Sequence, residues 1–244
     1  MQKKERLDKI LSNLGYGSRK DVKGLVKSGS IEINGKVVSD SSIKIDPYSS
    51  VIKIEGKTVE YREFIYLMMN KPQGIISSTD DFRDKTVIDL ISEEYKAFNP
   101  FPVGRLDKDT EGLMVLTNDG QLSHRVLSPK KHVEKVYYAE VEGVVTEEDK
   151  LLFNEGVILD DGYKTLPAKL EIMASDNFSK IYLTIEEGKF HQVKRMFLAV
   201  GKKVVYLKRM AIGGLRLDES LGLGAYRELT KEEILLIERK GLSE

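Results

Sequence analysis

Apolar residues in the first 30 positions recur at the spacing of two short amphipathic helices. The first helix has apolar residues at positions i, i+3, i+4 and i+7, namely Leu7, Ile10, Leu11 and Leu14. It is expected to end at Gly15, and a second helix begins at Ser18, which forms a capping-box pattern with Asp21. Short alternating segments follow, and the first of them reverses at Asn34-Gly35, a pair typical of a two-residue hairpin turn. The pattern therefore predicts a small module of two helices and β-hairpins over residues 1–60.

From residue 64 onward, the pattern changes to apolar strands with a few helices between them. The predicted strands are Phe64–Met69, Ile75–Thr79, Leu113–Thr117, Val136–Val141, Ala168–Met173, Ile181–Ile185 and Val204–Leu207. The predicted helices are Gln121–Leu127, Glu147–Asn154, Phe190–Val200 and Lys231–Arg239. Strands outnumber helices and often follow one another directly, which is typical of an α+β fold rather than a doubly wound one. We therefore predict a second domain over residues 64–240, built on a mixed, largely antiparallel sheet.

Charge is divided unevenly along the chain, although the formal net charge of its 244 residues is zero. Residues 1–60 contain 12 Lys and Arg against 8 Asp and Glu, and the excess is greatest in the first two helices. Clustered positive charge is typical of a module that binds a polyanion, and an ordinary solvated helix face is the alternative. The candidate contacts with the phosphates of such a polyanion are Arg6, Lys9, Arg19, Lys20 and Lys23.

Composition excludes several kinds of chemistry. The chain has no Cys, so it has neither a disulfide nor a thiol nucleophile, and its three His lack the spacing of a metal-ligand set. Complete phosphate-loop, dinucleotide-binding, GxSxG and HExxH motifs are also missing, and we expect neither a metal nor a cofactor. The N-terminus lacks the apolar core of a signal peptide, and the longest apolar run, Phe64–Met69, is too short to span a membrane. We therefore predict a soluble, cytoplasmic protein.

A charged loop over Gly104–Leu113 is the strongest candidate for chemistry, because it puts Asp107 in a tight turn before an apolar strand. An Asp in such a place is more often a turn or cap residue than a catalytic one. Tyr137 and Tyr138 fall on opposite faces of a predicted strand, so one can belong to the core while the other faces a cleft. The helix predicted over Phe190–Val200 has Phe190 on its apolar face. On another face it carries a cationic row that can pair with a carboxylate, contact phosphate or face solvent: His191, Lys194 and Arg195.

Several of these segments resemble known families. Arg6-Leu7-Asp8-Lys9 and Gly17-Ser18-Arg19 look like the alpha-L RNA-binding domain, which also occurs in a small-subunit ribosomal protein. Four further segments, in this order, resemble the RNA pseudouridine synthases: Asn70-Lys71-Pro72-x-Gly74, Gly104-Arg105-Leu106-Asp107-x-x-Thr110-x-Gly112-Leu113, Lys135-x-Tyr137 and Glu187-Gly188-x-x-His191-Gln192-Val193-Lys194-Arg195. The sequence of His191–Phe197, together with Ser78–Asp81 and Ser123–Arg125, is similar to that of the branch whose members modify small-subunit (16S) ribosomal RNA.

The resemblance implies a reaction and a set of roles. The C1′–N1 glycosidic bond of a uridine breaks, the base rotates, and it rejoins the ribose through C5. Asp107 would be the catalytic residue, either attacking C1′ or removing the C2′ proton, and both courses remain open. Lys194 would be the cation that keeps this carboxylate ionised, although Arg is common at its position and pairs more readily in bidentate form. Tyr137 would stack on the extruded base, and Arg105 would hold the place of the flipped nucleotide.

The implied partner is small-subunit ribosomal RNA, and we expect the chain to act as a monomer. Two alternatives can be weighed against this function. Asp107-Lys108-Asp109-Thr110 superficially resembles the DxD motif of aspartyl-phosphate phosphatases, whose reaction needs magnesium. A non-catalytic RNA-binding protein could also keep the fold, but the joint presence of Asp107, Tyr137 and Lys194 disfavours it.

Overall fold

The computed structural model describes residues 4–238, which form two compact units. The first unit extends to Ile65 and includes Ile91–Pro100, and the second contains Tyr66–Leu90 and continues from Phe101. Across residues 4–238, none of the helices has the length and apolar character needed to cross a lipid bilayer.

The first unit combines short helices with short strands. Its helices are α1 (Leu7–Asn13), α2 (Arg19–Lys27) and α3 (Glu93–Lys96). Its strands are β1 (Glu5–Arg6), β2 (Ile31–Ile33), β3 (Lys36–Val37), β4 (Lys44–Ile45), β5 (Ile52–Ile54) and β6 (Lys57–Val59). Strand β1 pairs with β4, and the other strands form a sheet in the order β3-β2-β5-β6. One apolar core joins the two main helices to these strands: Leu7, Ile10, Leu11, Val22, Val26, Ile31, Ile33, Ile45, Ile52 and Val59.

Local sequence signals account for the ends of these elements. The capping box at α2 is present, because Ser18 N donates to Asp21 Oδ2 at 2.9 Å and Asp21 N donates to Ser18 Oγ at 3.3 Å. Asn34 and Gly35 have φ angles of 51° and 77°, as the two-residue turn between β2 and β3 requires. The predicted helices and hairpin of the N-terminal module are therefore confirmed.

The segment Ile91–Pro100 belongs to the first unit, although it lies within the predicted range 64–240. Contacts of Arg62 help to hold it there. The Arg62 Nη2 atom lies 3.1 Å from Glu94 Oε1, and its guanidinium carbon lies 5.7 Å and 5.3 Å from the ring centroids of Tyr95 and Phe98. A single boundary between residues 60 and 64 therefore does not describe both units.

The second unit is built around a nine-stranded sheet within the described residues, with strand order β11-β12-β10-β13-β9-β7-β15. Strand β14 pairs with β13, and β8 pairs with β9. The strands are β7 (Tyr66–Lys71), β8 (Phe101–Pro102), β9 (Glu111–Thr117), β10 (Lys135–Glu142), β11 (Lys169–Ala174), β12 (Phe178–Ile185), β13 (Lys203–Ile212), β14 (Leu215–Arg216) and β15 (Tyr226–Glu228). Among their pairings only β13 with β9 is parallel, so the predicted α+β fold on a mixed, largely antiparallel sheet is confirmed.

Helices of the second unit are α4 (Gly120–Leu127), α5 (Glu147–Glu155), α6 (Gln192–Ala199) and α7 (Lys231–Leu236), with 3-10 helices at Val87–Leu90 and Pro129–Lys131. Strand β9 lies in the interior of the sheet, and all seven of its residues are buried. Its apolar side chains Leu113 and Val115 belong to a core that also includes Leu122 of α4 and Ile212 of β13. This packing gives a rigid base to the loop that precedes β9.

Several predicted elements differ from the observed ones. Two strands are longer than predicted, since Val204–Leu207 extends to Ile212 and Ile181–Ile185 begins at Phe178. Ile75–Thr79 is not a strand, since only an isolated bridge between Ile76 and Thr86 forms there. The strand predicted over Phe64–Met69 is shifted to Tyr66–Lys71, because its pairing with β9 continues to Lys71 opposite Gly112. Helix α6 begins at Gln192, which leaves Phe190 outside it. The predicted end of the last helix, Arg239, lies outside the described residues.

Candidate active site

Asp107 lies in the loop between β8 and β9, directly before the first residues of strand β9 in the second unit. Thr110 N donates to Asp107 O at 3.0 Å, which closes a tight turn over residues 107–110. The Asp107 side chain is 29% exposed, so its carboxylate remains accessible from solvent. Asp107 is therefore more than a turn residue, because the turn uses its carbonyl and leaves its carboxylate accessible.

Lys71, at the end of β7, has a fully buried side chain that bonds to this loop. Its Nζ donates to three backbone carbonyls: Pro72 O at 3.1 Å, Asp107 O at 3.1 Å and Thr110 O at 2.9 Å. Burial lowers the pKa of Lys71 to about 8, while the charges of Asp107 and Asp109 act in the opposite direction. The loop is thus fixed by a buried cation whose three donors are used by backbone oxygens.

Ser77 fixes the same loop one residue before Asp107. Its Oγ donates to Leu106 O at 2.8 Å and accepts from Leu106 N at 2.9 Å. The Leu106 backbone is therefore held on both sides. The Ser77 side chain therefore joins the segment 75–79 to the loop that carries Asp107.

Gly112 allows the start of β9 to lie unusually close to β13. It pairs with Arg209 in the parallel ladder and has a φ of 103°. A Cβ at this position would lie 2.3 Å from Arg209 O, so no other residue fits without displacing the backbone. Arg209 is itself buried, and its Nε donates to Leu113 O at 2.9 Å. The need for glycine at position 112 therefore fixes the point at which the loop carrying Asp107 joins the sheet.

Helix α6 brings two basic side chains to Asp107. Lys194 Nζ lies 3.4 Å from Asp107 Oδ2, and His191 Nε2 lies 3.6 Å from Asp107 Oδ1. His191 is the N-cap of α6 and has a left-handed backbone conformation with φ of 48° and ψ of 33°. Non-glycine residues rarely adopt this conformation, and they concentrate at functional sites.

Lys194 is shared between two carboxylates. Its shorter contact, 2.5 Å, is with Asp109 Oδ1 rather than with Asp107. Burial raises the pKa of Asp109, but the hydrogen bond and charge of Lys194 outweigh it, so the net pKa is below the usual value. Asp109 therefore belongs to the electrostatics of the site, although it lies outside the motif that singled out Asp107.

Arg195 points away from this pair, so the predicted cationic row is divided. Its Nε donates to Asp160 Oδ1 at 2.6 Å, and its Nη2 lies 2.7 Å from Asp161 Oδ2. Buried Glu187 accepts from Gln192 Nε2 at 2.8 Å and from Tyr163 OH at 2.7 Å. These contacts tie the start of α6 to the segment over residues 160–166 and so hold the helix that carries Lys194.

Tyr137 lies on β10, directly opposite Arg209 of β13 and Leu183 of β12. Cross-strand partners share a sheet face, so Tyr137 and Arg209 lie on the same side of the sheet. Tyr137 is 9% exposed. Tyr138 points to the opposite face, where its hydroxyl donates to Glu140 at 3.0 Å and its ring contacts Tyr182 and Tyr206.

Lys135 shares the Tyr137 face two residues earlier on β10. Burial and the positive charge of Arg209 lower the pKa of Lys135 to about 8. Lys71 also feels the charge of Arg209. The Tyr137 face of the sheet is therefore rich in partly desolvated cations near the Asp107 loop.

The remaining predicted residues are placed less specifically. Arg105 is exposed in the same loop, two residues before Asp107. In the first unit, Arg6 forms two hydrogen bonds to Asp8, at 3.0 Å and 2.6 Å, and Lys9 Nζ lies 2.9 Å from Glu5 Oε1. The other three predicted RNA contacts are exposed on α2: Arg19, Lys20 and Lys23. Within the described residues, no group of three or more His, Asp or Glu has the arrangement of a metal site.

Three residues of this site were not predicted, namely Lys71, Ser77 and Asp109, whereas His191 was predicted only as a member of the cationic row. Lys71 stood within a quoted motif, and its only other signal was a positive charge two positions after the apolar run Phe64–Met69. Ser77 and Asp109 left no comparable signal, because their contacts join segments about 30 and 85 residues apart in sequence.

The geometry describes an accessible carboxylate beside two basic groups, in a unit attached to a basic module, and comparisons with known proteins define the class. Residues 65–199 match the RNA pseudouridylate synthase family, and residues 5–48 match the S4 domain. The chain is thus an RNA-modifying enzyme. It belongs to the RNA pseudouridine synthase family and has an S4 domain at its N-terminus, so both predicted resemblances are confirmed.

The similarity to known proteins covers almost the whole chain. An RNA pseudouridine synthase of Bacillus subtilis is 55% identical and covers 95% of this chain and 98% of its own length. The ribosomal small subunit pseudouridine synthase A of Vibrio cholerae is 40% identical, with coverage of 95% and 99%. The ribosomal large subunit pseudouridine synthase B of Bacillus subtilis is 39% identical, with coverage of 94% of each chain. A crystal structure of a pseudouridylate synthase, 40% identical, covers 96% of this chain and 99% of that chain with a TM-score of 0.67.

Proposed function

We propose that this RNA pseudouridine synthase modifies a uridine of small-subunit (16S) ribosomal RNA. Overall identity does not separate the two ribosomal subunits, since relatives named for either one are about equally similar. The support comes from His191–Phe197, whose sequence resembles that of the small-subunit branch. This segment contributes His191 and Lys194, the two basic groups beside Asp107. The part of the sequence that favours the small subunit is therefore also part of the candidate site.

In this proposal Asp107 is the reacting carboxylate, and the observation that carries it is the 3.4 Å contact with Lys194 Nζ. Either course of the reaction needs a charged carboxylate in a fixed position. Lys194 supplies a neighbouring positive charge, and Lys71 and Ser77 hold the backbone on both sides of the reacting group. Asp107 then either bonds to C1′ as the C1′–N1 bond breaks, or takes the C2′ proton as the same bond breaks, which gives a glycal-like intermediate. Uracil leaves with the bonding electrons in both courses. When C5 of the rotated base bonds to C1′, the bond to Asp107 breaks or the proton returns to C2′, and the C5 proton is then lost. No metal or cofactor takes part.

Tyr137 and Arg105 are proposed to act on the extruded nucleotide. Tyr137 presents an aromatic ring on the same sheet face as Arg209, and we assign it to stacking on the uracil and to assisting removal of the C5 proton. Arg105 is exposed beside the carboxylate, and we assign it to the gap that the flipped nucleotide leaves in the RNA. Flipping costs a few kcal/mol, which stacking and phosphate contacts offset.

The S4 domain is proposed to bind RNA phosphates mainly through α2. Arg19, Lys20 and Lys23 are exposed there. Arg6 and Lys9 each pair with a carboxylate, so their net contribution to phosphate binding is smaller. We further propose that the chain acts as a cytoplasmic monomer during ribosome biogenesis, which light scattering of the purified protein and its RNA complex tests directly.

The decisive experiment maps pseudouridines in unmodified small-subunit and large-subunit ribosomal RNA transcripts after incubation with the enzyme. We expect one new pseudouridine in the small-subunit transcript and none in the large-subunit transcript. Modification of the large-subunit transcript alone would overturn the proposed target while leaving the activity in place. No modification of either transcript, with RNA binding retained, would overturn free small-subunit ribosomal RNA as the substrate, and the same mapping is then made on assembled ribosomal particles.

A further inference from the structure

The two most exposed large apolar side chains within residues 4–238 lie in segments that are bonded to the loop carrying Asp107. Phe82 is 88% exposed and Phe190 is 73% exposed. A single exposed phenyl ring is common, but two strongly exposed rings on segments bonded to the same polar loop are a candidate surface for a ligand. The rings occupy separate loops, and each loop is bonded to the loop that carries Asp107.

Phe190 is connected to Asp107 through His191. The two rings are stacked, with centroids 3.7 Å apart and planes 20° apart. The imidazole of this pair is also next to the carboxylate, since His191 Nε2 lies 3.6 Å from Asp107 Oδ1. The left-handed conformation of His191 turns the chain before α6 and leaves Phe190 outside the core, with one face on imidazole and the other in solvent.

Phe82 lies in a loop that comes before the Gly104–Leu113 motif in the sequence, whereas Phe190 comes after it. Asp81 Oδ1 accepts hydrogen bonds from Arg83 N at 2.8 Å and Asp84 N at 2.9 Å, which gives the loop a defined shape. Asp84 Oδ1 then lies 2.6 Å from the Nζ of Lys108, the residue that follows Asp107. The Arg83 guanidinium carbon lies 4.9 Å from the centroid of the Phe82 ring.

We propose that Phe82 and Phe190 are stacking platforms for two nucleobases that flank the target uridine in the substrate RNA. Nucleobases stack on aromatic rings largely independently of sequence, and a neighbouring cation strengthens binding through the RNA backbone. Extrusion of the target base also leaves its neighbours without a stacking partner. Two exposed rings on loops tied to the catalytic loop supply such partners. The proposal rests on the action of the enzyme on RNA, and not on which ribosomal RNA it modifies.

The test separates RNA binding from chemistry in the full-length enzyme. Single-turnover tritium release is measured from small-subunit and large-subunit transcripts labelled at uridine C5, over a range of enzyme concentrations. We expect Phe82→Ala and Phe190→Ala each to raise the half-saturating enzyme concentration by about 5- to 150-fold, the range for loss of one base–aromatic stack. The maximal rate should change much less. Phe82→Tyr and Phe190→Tyr retain a ring and should bind like the wild type.

Phe178→Ala is the matched control, because Phe178 is also an exposed phenylalanine, 62% accessible. It lies at the first residue of β12, at the opposite end of that strand from Ile185, after which the chain continues to α6. Its half-saturating concentration should stay at the wild-type value. The log–log salt dependence of binding should also be unchanged in Phe82→Ala and Phe190→Ala, since no phosphate contact is lost.

Unchanged half-saturation in both alanine variants would overturn the proposal. A fall in the maximal rate alone for Phe190→Ala would also overturn it for that residue, and would indicate instead that the ring positions His191. An equal effect of Phe178→Ala would show a general loss of apolar surface rather than stacking. If the wild type acts only on the large-subunit transcript, the proposed target fails, while the comparison among the phenylalanine variants is still read on that RNA.

Discussion

Asp107 has the features of a reacting carboxylate at the scale of single atoms: a fixed backbone, 29% side-chain exposure and two basic groups within 4 Å. Asp107→Asn keeps the size of the side chain but removes its capacity to attack C1′ or to accept the C2′ proton. We expect turnover to fall by on the order of 10⁴-fold, as is common when a residue that carries the chemical step is disabled. RNA affinity should hardly change, because it comes mostly from phosphate contacts elsewhere. Single-turnover tritium release and equilibrium RNA binding measure the two effects.

The control for this substitution has to be a carboxylate that does not touch the site. Asp109 is unsuitable, because Lys194 pairs with it at 2.5 Å, and Asp109→Asn would change the partner available to Asp107. Asp80 is exposed in the nearby loop, and Asp80→Asn makes the same change of charge. Near-normal tritium release by Asp107→Asn, or an equal loss in Asp80→Asn, would contradict the assignment of Asp107.

Tyr137 allows the ring and the hydroxyl to be tested separately, because Phe fills the same buried space on β10. If the hydroxyl assists removal of the C5 proton, Tyr137→Phe should slow tritium release by about 10²- to 10⁴-fold, the usual range for a positioned acid or base. RNA affinity should remain near the wild-type value, because the ring still stacks on the base. Deuterium at C5 should then slow the variant more than the wild type. A wild-type rate for Tyr137→Phe would leave only the ring with a role.

At the scale of elements, signals within a few residues were reliable. The capping box predicted at Ser18 with Asp21 is present, and the structure shows the same arrangement of hydrogen bonds at Thr146 with Asp149 and at Thr230 with Glu233. These bonds lie within a single turn, so no distant residue can override them. The positions of α2, α5 and α7 follow from this local chemistry.

Elements whose ends depend on distant contacts were predicted less well. Phe190 fits the apolar spacing of α6, but the helix begins two residues later, because His191 takes a left-handed conformation beside Asp107. Ile75–Thr79 has strand composition, yet it forms only one bridge, between Ile76 and Thr86, while the Ser77 side chain bonds to the Leu106 backbone. In both cases the candidate site alters the local pattern, and a pattern read along the chain contains no information on that contact.

Buried Lys71 at the end of β7 predicts an unusual dependence of stability on pH. Its pKa of about 8 in the folded protein is below the unfolded value of roughly 10.4, so between these values the unfolded chain binds more protons. The free energy of unfolding should therefore rise with pH from about 8 to about 10, by at most about 1.4 kcal/mol per pH unit for this group. Lys135, with a similarly lowered pKa, acts in the same direction.

Urea unfolding at several pH values measures this rise, and Lys71→Met should reduce it. Above about pH 10 the trend should reverse, because Tyr61 and Tyr206 have raised pKa values in the folded protein and ionise more readily when unfolded. Stability that falls steadily from pH 8 to 10 in the wild type would show that Lys71 keeps its proton when buried.

At the scale of the whole molecule, the chain joins its two compact units at three places, after Ile65, Leu90 and Pro100. The sequence did not reveal the second and third, because Ile91–Pro100 has the composition of an ordinary segment of the larger domain. Ile91 and Phe98 are buried in the first unit, so truncation near residue 60 would expose apolar surface as well as remove charge. Point substitutions on the surface of the S4 domain are therefore the better test of its role.

Neutralising the exposed cations of α2 should weaken RNA binding through lost phosphate contacts. The triple variant Arg19→Gln, Lys20→Gln, Lys23→Gln removes three positive charges that are all exposed. Each phosphate contact contributes roughly 0.7 to 0.9 units to the slope of log K against log salt concentration, so loss of all three contacts should reduce the slope by about 2 to 3 units. Equilibrium binding to the small-subunit transcript at several salt concentrations measures the slope. The maximal single-turnover rate should change little, because none of these residues belongs to the Asp107 site.

The matched control removes the same charge from another surface of the same domain. Lys36, Lys44 and Lys57 are exposed on β3, β4 and β6, and their triple replacement by Gln leaves α2 intact. A long-range effect of net charge would reduce both slopes equally, whereas direct phosphate contacts reduce only the α2 slope. An unchanged slope in the α2 variant would mean that these three residues form an ordinary solvated helix face, and that the S4 domain binds RNA through a different surface.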